Sequence, residues 1–181
     1  MDERDTSTEK TLEHWTRFYA NKHTMKPTPF AKFARKRMKG ETVVDLGCGN
    51  GRDTYYLGKK FQAIGIDNAI QPAIEGFILD DVENFPEGAD NYYARFLFHA
   101  IPLDKENNIL KGIHGTLYAE TRAEGDDSFV DDHYRRLSNP NNFLKKLINF
   151  GYEIEYFEVG KNLAKYKDQN PLVFRVIASR P

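Results

Sequence analysis

The sequence predicts an α/β fold in which helices cover both faces of a seven-stranded, mostly parallel sheet whose last strand is antiparallel. Three observations lead to this prediction. Strand-like and helix-like segments alternate through most of the 181 residues, as in parallel sheets covered by helices. A cluster of glycines joins the first predicted strand to a helix. The last two predicted strands have no helix-length segment between them, so we expect them to pair antiparallel.

Two helices are predicted before the sheet begins. The first is expected to start near Ser7, because Thr6 and Glu9 have the spacing of a capping box. Apolar side chains then recur at helical spacing, at Leu12, Trp15 and Tyr19. The second helix covers residues 30–38, and Gly40 ends it. The basic residues of this helix alternate with apolar ones, which is typical of a solvated helix face.

The elements of the sheet follow in order. Strands are predicted over residues 42–46, 63–66, 77–79, 116–120, 152–156 and 172–178, and the segment 91–98 is predicted to contain the fourth strand. Helices are predicted over residues 53–60, within 68–76, over 104–111 and over 140–150. Asn139 and Pro140 have the types expected at the cap and the first turn of the last helix, and Gly151 suits its end.

Composition and charge limit the classes of protein to which the chain can belong. The chain has 40% hydrophobic and 29% charged residues, typical of one globular domain. We predict a single domain over 1–181, with helices over 1–40 and an α/β core over 41–181. The net charge of −1 indicates no nucleic-acid partner, and no apolar run is long enough to span a membrane.

Cysteine usage and the first residues bear on location. Cys48 is the single cysteine, so no internal disulfide indicates an oxidising compartment. The charged N-terminal residues lack the apolar segment of a signal peptide. We expect a cytoplasmic location, the host cytoplasm if the source is viral. The sequence leaves the oligomeric state open.

The segment from Val43 to Gly51 is the most informative part of the chain. Glycines that follow a strand and precede a helix let the backbone approach a bound cofactor. A dinucleotide fingerprint has the spacing G-x-G-x-x-G, whereas the glycines here are spaced G-x-G-x-G, and Arg52 stands where the third glycine would be. Asp45, inside the strand, suits a cationic amino-acid group better than a phosphate. The pattern favours S-adenosylmethionine over a dinucleotide.

The run Asp45-Leu46-Gly47-Cys48-Gly49-Asn50-Gly51 resembles the first motif of the class I S-adenosylmethionine-dependent methyltransferases, which have a Rossmann-like fold, and the resemblance covers nearly the whole chain. It implies that Asp45 faces the methionyl amino group, that Asp67 accepts the ribose hydroxyls and that Asp81-Val82 holds the adenine. The product would be S-adenosylhomocysteine. The cofactor-binding residues implied are Asp45, Gly47, Cys48, Gly49, Gly51, Arg52, Asp67, Asn68, Asp81, Val82, Ala94 and Arg95.

The aromatic residues of the N-terminal helices have two interpretations. Trp15, Tyr19 and Phe30 could close over the cofactor as a lid, because an aromatic face stabilises a sulfonium cation and a lid excludes water. Alternatively, they pack against the edge of the sheet.

The sequence bears on the methyl acceptor through the absence of one motif and through a second resemblance. No Asn-Pro-Pro-Tyr or Asp-Pro-Pro-Tyr follows the fourth predicted strand, which disfavours amino methylation of bases and glutamines. Residues 92–101, 120–122, 126–127, 133–136 and 163–166 together resemble a subgroup associated with surface-glycan methylation, including viral glycans. That resemblance implies O-methylation of a sugar hydroxyl on a glycan or nucleotide-sugar.

A sugar hydroxyl needs a general base. His99 follows the fourth strand, at the edge where open α/β sheets bind ligands, and His133 is the second candidate. Glu120 and Arg122 leave the fifth strand toward the same edge and complete the predicted catalytic set. Each histidine could instead be structural, and the arginines of this edge could pair with Glu120 and Asp127 as scaffold.

Three other functions compete with a sugar O-methyltransferase: a methyltransferase for thiols, metalloids or other small molecules, a non-catalytic module that binds S-adenosylmethionine, and a dinucleotide enzyme. A divalent metal on the acidic residues of 126–133 is possible, but a solvated acidic turn is favoured and no metal is predicted.

Overall fold

The fold is described from a computed structural model. It describes residues 3–20, 25–69, 75–126, 135–165 and 169–181, and within the first helix the side chains of residues 10–19. No helix in these ranges is long and apolar enough to cross a membrane.

Five α-helices are formed by the described residues: α1 (Glu3–Ala20), α2 (Pro29–Arg35), α3 (Arg52–Leu57), α4 (Leu103–Gly112) and α5 (Pro140–Asn149). A 3₁₀ helix covers Val82–Asn84. The side chain of Asn139 accepts a hydrogen bond from the Asn142 backbone N–H and so caps α5, as its residue type predicts.

The described strands form one seven-stranded sheet in the order β3-β2-β1-β4-β5-β7-β6. Their bounds are β1 (Thr42–Leu46), β2 (Gln62–Asp67), β3 (Phe77–Leu79), β4 (Asn91–Arg95), β5 (Gly115–Arg122), β6 (Glu153–Gly160) and β7 (Val173–Arg180). Strands β1 to β5 pair in parallel, and β7 is antiparallel to both β5 and β6. The predicted fold class, with its reversed last strand, is confirmed.

Helices cover both faces of this sheet. On one face, α4 and α5 bury Ile109, Leu110, Phe143 and Leu147 against the inner residues of β1, β4, β5 and β7. On the other face, α2 and α3 bury Phe30, Ala34 and Leu57 against Tyr93 and Tyr118. The strands are apolar on both sides because both sides are covered.

Several predicted boundaries differ from the structure. α1 begins at Glu3 rather than near Ser7, and α2 ends at Arg35 rather than Met38. β4 lies within the segment 91–98 that was predicted to contain it, and it ends at Arg95 because Phe96 adopts a φ of +60° that no strand continues. β5 and β7 each run two residues past their predicted ends, because they pair with each other as far as Arg122 and Arg180. The short helix predicted within 68–76 falls largely on residues outside the described ranges.

Candidate functional site

The glycine loop lies where β1 ends and α3 begins. Gly47, Gly49 and Gly51 all have positive φ, at +69°, +54° and +72°, a conformation that glycine adopts without strain. The backbone N–H groups of Gly47 and Cys48 donate to Ile66 O at 2.9 and 3.2 Å. These bonds tie the loop to β2 and place it at the carboxyl edge of the sheet, where open α/β sheets bind ligands.

Asp67, the last residue of β2, holds two backbone groups around this loop. Its Oδ2 accepts from Gly49 N at 2.9 Å, and its Oδ1 accepts from Ala69 N at 2.8 Å. The carboxylate is half-buried, and burial raises its pKa above the usual range. A carboxylate has more acceptor sites than these two bonds occupy, so it can also accept hydroxyl groups.

Asp45 lies beneath the glycine loop. Thr54 Oγ1 donates to its Oδ2 at 2.6 Å. Burial, followed by the neighbouring charge of Asp53, raises the pKa of the Asp45 carboxyl to about 8. A buried carboxylate without a cation is costly, so this position favours a positively charged ligand group.

Asp53 is a residue of the site that sequence reasoning missed. Its carboxylate accepts from Thr28 N at 2.8 Å, from Thr28 Oγ1 at 2.7 Å and from Tyr93 Oη at 2.8 Å. Thr28 also caps α2 by accepting from Ala31 N. The three bonds fix the start of α2 against α3 and β4. Nothing in the local pattern signals this, because Thr28 and Tyr93 are 25 and 40 residues from Asp53 in the chain.

A small cavity opens between these groups. It is lined by Tyr19, Asp45, Gly47, Cys48, Asn50, Arg52, Asp53, Tyr93 and Arg95. Six of these were predicted to bind the cofactor, and Asn50, Asp53 and Tyr93 were not. The lining combines carboxylates with guanidinium groups, a set suited to the ammonium and carboxylate of an amino acid.

The ring of Tyr19, a residue of α1, lies against the glycine loop. A Cβ atom built on Gly49 would lie 2.3 Å from Tyr19 Cζ, so the ring rests directly on the loop. The cavity beside it measures about 30 Å³, roughly the volume of one water molecule. Trp15 stacks on Tyr19 with ring centroids 5.9 Å apart, and Thr16 Oγ1 donates to Ala69 O at 2.6 Å. The first helix therefore lies over the glycine loop, as the lid interpretation requires.

Phe30 lies elsewhere. It is fully buried and stacks on Tyr93 with ring centroids 5.2 Å apart. Arg175 lies on this side too, with its Cζ 5.4 Å from the centroid of the Phe30 ring. Phe30 packs α2 onto the sheet, which is the alternative interpretation of the aromatic residues, and it does not line the cavity.

The residues predicted to hold adenine lie at the ends of β2 and β3. Asp81 Oδ1 accepts from Glu83 N at 3.0 Å, and Lys105 Nζ donates to its Oδ2. Val82 is buried in the core and Asn68 is exposed. Ala94, also predicted to bind cofactor, is buried in β4. The carboxylate of Asp81 is thus already paired on both oxygens.

A row of charged residues crosses the carboxyl ends of β4, β5 and the start of β7. Arg95 Nε donates to Glu120 Oε1 at 2.9 Å, and Arg175 Nε donates to Glu120 Oε2 at 2.8 Å. Glu120 is 1% exposed. In the neighbouring pair, Arg122 donates to Asp126 at 2.7 Å. The scaffold interpretation of Glu120 matches these contacts. Arg122 pairs with Asp126, and Asp127, the other predicted partner of the arginines, lies outside the described ranges.

His99 lies behind this row. Its side chain is 1% exposed, and it does not line the cavity. Nδ1 lies 2.9 Å from Thr121 Oγ1 and 3.3 Å from Arg122 N. The Arg122 N–H can only donate, so it needs a lone pair on Nδ1, whereas the Thr121 hydroxyl can either donate to Nδ1 or accept from it. With Nδ1 accepting from Arg122 N, the proton of the neutral ring is on Nε2; a lone pair on Nε2 requires the other tautomer, in which Nδ1 donates to the Thr121 hydroxyl. His99 as a base stays a prediction.

Two predicted features cannot be placed. His133 and the acidic residues at 127, 131 and 132 lie outside the described ranges. Within those ranges, no cluster of three or more histidine, cysteine or acidic side chains could hold a metal ion.

Comparisons with known proteins identify the fold. No protein-family model and no curated protein matched the chain. A methyltransferase of Methanosarcina mazei dependent on S-adenosylmethionine superposes with a TM-score of 0.66 at 14% identity, covering 82% of this chain and 96% of that one. Another from Clostridium acetobutylicum gives 0.63 at 13% identity, covering 84% and 92%. The magnesium protoporphyrin IX methyltransferase of Synechocystis, with bound S-adenosylhomocysteine, gives 0.61 at 13% identity, covering 100% and 88%. The chain has the fold of S-adenosylmethionine-dependent methyltransferases.

Proposed function

We propose that this protein is a methyltransferase that binds S-adenosylmethionine over the glycine loop. The observation that carries the proposal is the cavity at the carboxyl ends of β1 and β4, where buried carboxylates face guanidinium groups beside three left-handed glycines. This donor set fits the cofactor: Asp45 for the ammonium group, Asp67 for the ribose and the loop backbone for close approach. The cofactor supplies an electrophilic methyl group, and the chain holds and orients it.

We propose further that α1 acts as a lid. Ligand pockets for molecules of this size measure about 300–1,000 Å³, so the cofactor and the Tyr19 ring cannot both occupy the space above Gly49 as the structure has it. The contacts between α1 and the loop include a hydrogen bond from Thr16 to Ala69 O and the packing of the Tyr19 ring on Gly49, and both can be exchanged for contacts with the cofactor. After binding, the Trp15 and Tyr19 rings can lie against the sulfonium.

The proposed acceptor is a sugar hydroxyl of a glycan or nucleotide-sugar, with His99 as the base. The resemblance of residues 92–101 and 120–122 to the glycan-associated subgroup supports it, as does the position of His99 and Arg122 at the carboxyl edge. A screen of sugars, sugar phosphates and nucleotide-sugars with labelled cofactor tests it. A thiol or metalloid acceptor that is methylated without His99 would replace it.

Calorimetry with S-adenosylhomocysteine tests the cofactor site. Asp67→Ala is expected to weaken binding by about 1.5–3 kcal/mol, the range for hydrogen bonds to a charged group, because the carboxylate positions Gly49 and accepts the ribose. Asp104→Ala, an exposed residue of α4, removes the same charge outside the cavity and should not change the affinity. Unchanged affinity in Asp67→Ala would refute the ribose assignment. Binding of a dinucleotide instead would refute the cofactor.

The raised pKa of Asp45 predicts a pH dependence of binding. An ammonium group binds the ionised carboxylate, so below pH 8 part of the binding free energy is used to remove a proton. We expect the affinity for S-adenosylhomocysteine to rise between pH 6 and 8, with proton release on binding, visible as a dependence of the calorimetric heat on the buffer. In the unliganded protein the raised pKa has the opposite effect, on folding stability. Protonated Asp45 stabilises the fold, and this contribution is lost as pH rises through about 8.

Asp45→Asn provides the control for this pH dependence. It keeps an oxygen that can accept from Thr54 Oγ1 but cannot ionise. Its affinity should be lower than that of the wild type at pH 8 and nearly independent of pH. A variant that retains the wild-type pH dependence would show that another group releases the proton.

A further inference from the structure

Arg95, the last residue of β4, has hydrogen-bond donors that no residue in the described ranges accepts. Its Nε is bound to Glu120, and its Cζ lies 4.1 Å from the centroid of the Phe96 ring. The two terminal nitrogens make no hydrogen bond to any residue in the described ranges. The side chain is 16% exposed, and its open side faces the cavity beneath Tyr19.

The position of Arg95 is fixed from behind. Glu120 is shared between two arginines, and Arg175 is itself held by a bond from its terminal nitrogen to Leu163 O at 2.8 Å. One buried carboxylate is therefore shared between two guanidinium groups, so Glu120 does not by itself neutralise the charge of Arg95. A guanidinium held through Nε presents its terminal nitrogens with little loss of freedom on binding.

The other charges of the cavity indicate what this guanidinium binds. Asp45 is the position for an ammonium group, and Asp45 pairs in register with Tyr93, two residues before Arg95 on the adjacent strand. Adjacent strands lie about 4.8 Å apart, so a side chain as long as arginine can reach a group bound beside Asp45. An amino acid carries its carboxylate one carbon atom from its ammonium. Arg52 also lines the cavity, but it is not held by a buried carboxylate as Arg95 is.

We propose that the terminal nitrogens of Arg95 bind the carboxylate of the cofactor's amino-acid group, with the guanidinium held in place by Glu120. This assignment rests on the proposed function, because it requires S-adenosylmethionine and its product to bind at this cavity. It makes Arg95 a residue that selects for the complete amino-acid group of the cofactor rather than for its adenosine portion.

A cycle of ligand and protein changes tests the contact, with calorimetry on the full chain. The ligands are S-adenosylhomocysteine and its decarboxylated form, which keeps the amine and lacks the carboxyl group. In the wild type, loss of the ligand carboxyl group should weaken binding about 10- to 150-fold, the value of a charged hydrogen bond. In Arg95→Gln, the same loss should change affinity by less than about threefold, because the partner is already absent.

Arg37→Gln is the matched control. Arg37 lies over the Phe33 ring and outside the cavity, so this variant loses the same charge and should keep the full wild-type difference between the two ligands. If Arg95→Gln does not fold, the affinities of the wild type for the two ligands still test the proposal, because equal affinities overturn it. An undiminished difference in folded Arg95→Gln overturns it as well. If neither ligand binds to the wild type, it is the proposed function that fails.

Discussion

Replacing His99 by glutamine is expected to lower the rate of methyl transfer about 10²- to 10⁴-fold, the usual cost of removing a general base, and to leave cofactor affinity unchanged. Glutamine can still accept the Arg122 N–H through its side-chain oxygen, but it cannot take a proton from a hydroxyl. The measurement is turnover with the acceptor found by the screen, together with calorimetric binding of S-adenosylhomocysteine.

Two further variants show whether the effect comes from proton transfer. Thr121→Val removes the hydroxyl that lies 2.9 Å from Nδ1, and with it the acceptor for an Nδ1 proton in the tautomer whose Nε2 carries a lone pair, so its rate should also fall. His114→Gln changes a histidine at the opposite end of the sheet, next to Pro181 O, and should leave the rate unchanged. Near-normal turnover in His99→Gln would mean that the buried ring only packs the segment after β4. His133 and Glu120 would then be the remaining candidates for the base.

Replacing Glu120 by alanine is expected to lower the free energy of unfolding by about 3–5 kcal/mol, the cost of removing one partner from a buried ion pair. The side chains of Arg95 and Arg175 are 16% and 8% exposed, so neither guanidinium can regain full hydration in the folded state. Urea denaturation measures this change directly. Any effect of the variant on turnover must be assayed at a temperature at which it is folded.

Glu124→Ala is the matched control for Glu120→Ala. Glu124 is exposed and accepts a hydrogen bond from Asn139 Nδ2 at 2.8 Å, so its loss should cost less than about 1 kcal/mol. An equally small loss in Glu120→Ala would show that the two arginines do not depend on this carboxylate. The assignment of Glu120 as the group that holds Arg95 would then be wrong.

Whether Glu120 holds Arg95 or transfers a proton bears on the catalytic residues predicted from the sequence. A carboxylate at the end of a central strand was expected to face the acceptor, but both oxygens of Glu120 are engaged by arginines. A base needs a lone pair that is open to the acceptor. The contacts therefore favour a role in holding Arg95, and the two variants separate that role from proton transfer.

The sequence by itself determined the fold and the glycine loop at which we propose that the cofactor binds. Local signals suffice for both. Apolar runs alternate with helical patterns, which indicates the fold. The closely spaced glycines between Asp45 and Arg52 indicate a turn that joins a strand to a helix. The acid that ends β2 could be found for the same reason, because the carboxyl ends of parallel strands meet at one edge. The end of β4 could not be predicted, because nothing about a phenylalanine signals the left-handed conformation that Phe96 adopts.

Only the tertiary structure decided which side chains meet at that edge. Asp53 meets Thr28 and Tyr93, Glu120 meets Arg175, 55 residues away, and the Tyr19 ring lies on Gly49. Periodicity fixes which face of an element is buried, but it does not specify which polar group across the sheet satisfies a buried one. That choice follows from the strand order and from packing, since a buried charge must find its partner among the residues that the fold brings within reach.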